Sequence, residues 1–226
     1  MPDLSRAANR TAASSPTGKP RTLSLGAIEA PQLDEPADLV STFHLSSAHH
    51  PHSATGWRMT TPDRRIAIHV AELLGGTLML TGEPGLIEVV VAASEFQILL
   101  AGSRAVCLSW HRGSAPPVCN GTVGAGRPCT CPTSFAERRR AARRGAGCEP
   151  HLRVCFRLQR AAALGAFTFV SGNWTFAEEV ATAAGVLCCR KGLTPAMLRC
   201  DVATVTLSSG QVVRCSRPAL TIIRAR

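Results

Sequence analysis

From Gly56 onward the apolar residues recur mostly with the two-residue period of strands, and three stretches shift to helical spacing or helix-start chemistry. Ile66, Val70, Leu73 and Leu74 fall at i, i+4, i+7 and i+8, which is one face of a helix. Thr61 is placed to cap it, Pro62 suits its first turn, Asp63 complements its positive start, and Gly75-Gly76 ends it. Ser134-Phe-Ala-Glu137 and Thr175-Phe-Ala-Glu178 both have capping-box spacing. They predict a short helix over 135–144 stopped by Gly145, and another to about Ala184 stopped by Gly185.

Between the helices lie short runs rich in β-branched and aromatic residues: 56–60, 77–81, 86–92, 96–100 and 104–110. Turn residues at 82–85 and at Gly102-Ser103 separate them, as in an antiparallel meander. Further on, Leu152, Val154, Phe156 and Leu158 alternate with Arg153, Cys155 and Arg157, a half-buried strand. Strands at 166–170, 198–207, 211–215 and 219–223 complete the chain, the middle two joined as a hairpin near Ser209-Gly210. The expected fold is α+β: an antiparallel β meander, two or three short helices and a zinc-stabilised loop. Residues 1–55 hold six prolines among Ser, Ala, Thr and acids without a sustained period, and are expected to be a disordered tail. The tail's His44, His49, His50 and His52 read as a solvated tract. The predicted domain is therefore 56–226.

Cysteine usage changes this picture most. The chain has ten cysteines, no apolar signal-peptide core at its start and no apolar run of about 18 residues that would span a membrane. A cytoplasmic, reducing setting follows, in which thiols serve metal binding more readily than disulfides. Cys119, Cys129, Cys131 and Cys148 sit in a loop, 111–151, whose Cys119–Cys148 stretch has almost no apolar side chains to offset its ordering entropy. Four thiolates on one structural Zn²⁺ would do so, because metal-binding free energy becomes folding free energy. The Cys-x-Cys spacing is less diagnostic than paired Cys-x-x-Cys, and reduced thiols in a flexible loop are the alternative. His111 and His151 flank the loop and could replace a cysteine. Cys107, Cys155, Cys188, Cys189, Cys200 and Cys215 lie mostly in apolar segments and read as small buried hydrophobes.

Charge concentrates in the same loop. The formal net charge is +10, yet residues 1–55 hold four Lys and Arg against five acids. Cys119–Cys148 holds six Arg against Glu137 alone. Five of them, Arg138, Arg139, Arg140, Arg143 and Arg144, belong to the predicted helix and point in several directions. One reading is a solvated helix. The other is a partner-binding surface that grips phosphates or carboxylates with guanidinium forks.

Catalytic patterns are missing. Gly124-Ala-Gly126 lacks the Gly-Lys-Ser/Thr of a phosphate loop, and neither a Gly-x-Ser-x-Gly elbow nor a His-Glu-x-x-His pair occurs. A four-cysteine zinc has no open position for substrate. The expectation is a protein that is not an enzyme and takes no small-molecule substrate.

The order of motifs resembles a known family. Trp57-Arg-Met-Thr-Thr-Pro-Asp63, Leu74-Gly-Gly76, Cys119-Asn-Gly121, Cys129-Thr-Cys131-Pro132, Cys148-Glu-Pro150, Leu152-Arg153 and Leu164-Gly-Ala-Phe167 follow one another. This succession is similar to the recombination directionality factors of actinobacterial phages, over about three quarters of the chain. Asn120 stands where that family usually has Asp, and Phe167 where it usually has Trp. The resemblance implies a non-catalytic partner of a large serine integrase that promotes prophage excision, within an integrase–DNA complex. It implies zinc ligation by Cys119, Cys129, Cys131 and Cys148. The competing expectation, from charge, is a zinc-stabilised protein that contacts nucleic acid directly.

Overall fold

The computed structural model describes residues 38–45, 56–112, 119, 123–124, 127–128, 131–206 and 209–223. Its elements in chain order are β1 (Leu39–Leu45), β2 (Trp57–Thr61), α1 (Arg64–Leu74), β3 (Gly76–Leu80), β4 (Ile87–Val91), β5 (Glu95–Ala101) and β6 (Val106–His111). There follow β7 (Val123–Gly124), β8 (Arg127–Pro128), α2 (Phe135–Arg143), β9 (Glu149–Leu158), β10 (Ala166–Ser171), α3 (Trp174–Leu187), β11 (Leu193–Thr206) and β12 (Val212–Ile222). The architecture is mixed α+β and mostly sheet.

Strand order in the main sheet is β12-β11-β5-β9-β10-β1-β2-β4-β3, with β6 also on β9. This corrects the simple antiparallel meander in two ways. β5 and β6 are consecutive but do not form a hairpin; both lie along one edge of the long β9. β6 takes residues 149–154 of β9 and β5 takes Arg157 and Leu158. A 3₁₀ turn over Ser103–Ala105, entered through Gly102 at φ +64°, offsets the chain without reversing its partner. The second difference is that β1 and β10 pair in parallel, from Leu39↔Ala166 to Phe43↔Phe169.

β1 also corrects the expected boundary at residue 56. Leu39–Leu45 is an internal strand, between β10 and β2, in the stretch expected to be a disordered tail. The rest of that tail lies outside the described residues. Phe43 explains why the strand belongs to the fold. It is fully buried, with ring centroids 5.3 Å from Phe96 and 5.6 Å from Phe156 and Phe167. Phe96 comes from β5, three strands away in the sheet, so the sheet curls until its two halves share one aromatic core. Trp57 closes it, donating from Nε1 to the Ser94 carbonyl at 3.2 Å.

Helix boundaries follow local hydrogen bonding. Asp63, rather than Thr61, caps α1: its Oδ1 accepts from the Arg65 amide at 2.7 Å. Thr61 accepts from the Asp63 amide and donates to the Val40 carbonyl at 3.1 Å, tying the helix entrance to β1. α1 buries Ile66, Ala67, Val70 and Ala71 against β2, β3 and β4. Ser134 caps α2 as expected, accepting from the Glu137 amide at 3.2 Å. The cap of α3 lies two residues before the expected Thr175, because Asn173 Oδ1 accepts from the Phe176 amide, and the helix runs through Gly185 to Leu187. Its buried stripe, Phe176, Ala177, Val180, Ala183, Ala184 and Leu187, outweighs the ~1 kcal/mol cost of one interior glycine. β12 replaces the two separate C-terminal strands and pairs with β11 from Thr206↔Val212 to Ala196↔Ile222. Among the described residues no helix is long and apolar enough to cross a membrane.

Candidate functional site

The cysteine loop is seated on Trp110. This residue ends the inward row of β6 and is fully buried. Its amide donates to the Cys119 carbonyl at 2.8 Å, and Cys119 returns a bond of 3.4 Å, so the first loop cysteine is held by backbone pairing. Phe135 opens α2 and Trp174 opens α3; each ring centroid lies 5.6 Å from that of Trp110. Arg138, one turn beyond Phe135 on the same helix face, lays its guanidinium 4.2 Å over the Trp110 ring. Its Nε donates to the Pro132 carbonyl at 2.6 Å and its Nη1 lies 3.9 Å from Cys119 Sγ.

Arg138 therefore departs from its expected place in a partner-binding surface. Only 2% of it is exposed, and its charge is spent on an aromatic face, a carbonyl and a sulfur inside the loop. Arg139, Arg140, Arg143 and Arg144 are exposed, and none of the four forms a salt bridge among the described residues. Glu137, the one acid of the helix, is engaged by the Ser134 hydroxyl at 2.9 Å.

The expected zinc ligands are placed as follows. Cys119 and Cys148 are buried and Cys131 is half-buried. Cys131 Sγ and Cys148 Sγ are 4.0 Å apart, while Cys119 Sγ stands beside Arg138. Cys129 lies outside the described residues, and among those described no group of three His, Cys, Asp or Glu side chains is arranged to hold a metal. Cys131, Cys148 and Arg138 line a cavity of about 190 Å³ together with Arg112 and Gly147. Gly147 is required there: a Cβ would stand 2.5 Å from the Ala142 nitrogen and 2.7 Å from the Ala141 carbonyl carbon. His111 and His151 lie with ring centroids 4.4 Å apart and planes tilted by 34°, and share Ser109, 3.0 Å from His111 Nε2 and donating to the His151 carbonyl at 3.2 Å. Burial, then His111 and Arg153, hold the His151 pKa below its ordinary value.

Three of the six remaining cysteines differ from expectation. Cys155 and Cys200 are buried and Cys107 is half-buried, but Cys188, Cys189 and Cys215 are exposed. Burial pushes the Cys107 and Cys200 thiols up.

Between α2 and α3 runs a groove of about 270 Å³. Phe135 and Trp174 line it, with Arg139, Arg140 and Arg143 on one side and Glu178 on the other. The aromatic seat and this groove were missed by sequence reasoning. The signal available was an aromatic residue directly after each helix cap, Phe135 after Ser134 and Trp174 after Asn173.

No solved structure matches the chain. The sequence model of the Gp3-like, recombination directionality factor-like family matches residues 22–221, and the chain belongs to that family.

Proposed function

We propose that the protein is a non-catalytic directionality factor that binds a serine integrase in the cytoplasm and turns it toward prophage excision. The family match over residues 22–221 carries this reading. The surface supporting it is the arginine row of α2, held out from the fold by Trp110 and Arg138 with four guanidinium groups left to solvent. Such a row grips carboxylates or phosphates of a partner at low ordering cost, because the helix beneath it is already fixed.

Cys119, Cys129, Cys131 and Cys148 are proposed to hold one structural Zn²⁺. Tetrahedral Zn–S bonds of about 2.3 Å separate sulfurs by about 3.8 Å, and the 4.0 Å between Cys131 and Cys148 fits that edge. The metal would pin both ends of the segment that carries α2. The purified protein should contain one zinc per chain, and Cys131→Ser should lower it to a trace by elemental analysis. A zinc-free wild-type protein with native circular dichroism would remove the metal from this account.

A basic nucleic-acid-binding protein is the second reading, favoured by the net charge of +10. Salt separates the two. Phosphate binding weakens steeply with salt as counterions are released. The directionality reading expects a complex with the cognate integrase that survives moderate salt on size exclusion. Tight binding to DNA alone, with no integrase complex at any salt, would favour the second reading.

A further inference from the structure

We infer that the groove between α2 and α3 is the docking site for a helical protein segment that presents one apolar side chain flanked by carboxylates. This rests on the directionality reading and adds the place and chemistry of the contact. The floor of the groove is aromatic and half-buried, Phe135 and Trp174, both backed by Trp110. Half-exposed aromatic rings on a rigid backing are the usual anchors of protein interfaces. Its rim is cationic: Arg139 and Arg143 are one helical turn apart, and Arg140 stands beside them.

At about 270 Å³ the groove has room for an inserted apolar side chain. Arginines spaced i and i+4 present two forks about 6 Å apart, which matches carboxylates one turn apart on an opposing helix. A nucleic-acid backbone matches less well. It carries no apolar side chain that could insert against Phe135 and Trp174. The charge balance, three arginines against one acid, favours a partner that brings two or three carboxylates.

The test uses the full chain, its cognate integrase and DNA carrying the paired excision sites. Ala136 is exposed and lines the groove, so a photo-cross-linking benzoylphenylalanine is placed there, with Leu80 on β3 as a second position. The expected result is a cross-link from position 136 to one integrase segment bearing Asp or Glu around an apolar residue. Arg139→Glu with Arg143→Glu should weaken the complex about tenfold or more without altering circular dichroism. Reversing the charge of the cross-linked segment should restore binding. A complex that forms normally but cross-links only from Leu80, or from position 136 only to DNA, overturns the inference and leaves the directionality reading standing. Failure of the unmodified protein to bind the integrase at all would remove that reading and the inference with it.

Discussion

Four arginines of α2 and its C-cap face solvent, while the fifth, Arg138, is covered by Trp110, Pro132 and Cys119. The difference is positional: Arg138 follows Phe135 by three residues, so both side chains turn to the same buried face. Arg138→Ala removes the cation–π contact and the hydrogen bonds to the Pro132 carbonyl and Cys119 Sγ, and leaves a hole beside a buried sulfur. We expect a loss of about 2–4 kcal/mol in urea unfolding, and about 1–2 kcal/mol for Arg138→Lys, which keeps charge but not the planar fork. Arg143→Ala, on the exposed face, should change stability by less than about 0.5 kcal/mol. Gly147→Ala forces a methyl onto the backbone of α2 and should cost about 1–3 kcal/mol. Equal losses for the Arg138 and Arg143 variants would contradict this assignment. A run of arginines does not itself show which member is buried; the phase set by Phe135 does, and it is readable only once the helix start at Ser134 is fixed.

Elements built on local signals were legible, and elements built on distant partners were not. α1, α2 and the β11–β12 hairpin arise from caps, apolar stripes and a turn within a few residues of each element. β1 is seven residues long, and its parallel partner β10 begins at Ala166, more than a hundred positions away. Nothing in LVSTFHL names that partner, and the prolines around the strand mask its alternation. Its role is nonetheless central. Deleting residues 1–45 would leave facing edges of β10 and β2 unpaired and take Phe43 out of the aromatic core. We expect that deletion to abolish cooperative thermal unfolding, and Phe43→Ala alone to cost about 3–5 kcal/mol. A deleted chain that still melts cooperatively, with native circular dichroism, would show β1 to be dispensable. The end of α3 was also hidden, since Gly185 reads as a stop and only the buried stripe through Leu187 carries the helix past it.

For the whole molecule, the curled sheet brings β6, β9 and the starts of α2 and α3 to one side, where Trp110 links them. The cysteine loop was legible as a metal candidate because thiol spacing is a local pattern. Its seat was not, because Trp110, Phe135 and Trp174 meet only after three separate segments pack. On the function proposed above, α2 and α3 would offer a basic, aromatic-floored surface to a recombinase. Recombination by the cognate serine integrase on paired excision sites, with and without this protein, tests it most directly. The account predicts little excision product from integrase alone and a large rise on adding the wild-type protein. It also predicts a smaller rise with the Arg139→Glu, Arg143→Glu variant. An excision yield that the wild-type protein leaves unchanged would contradict it.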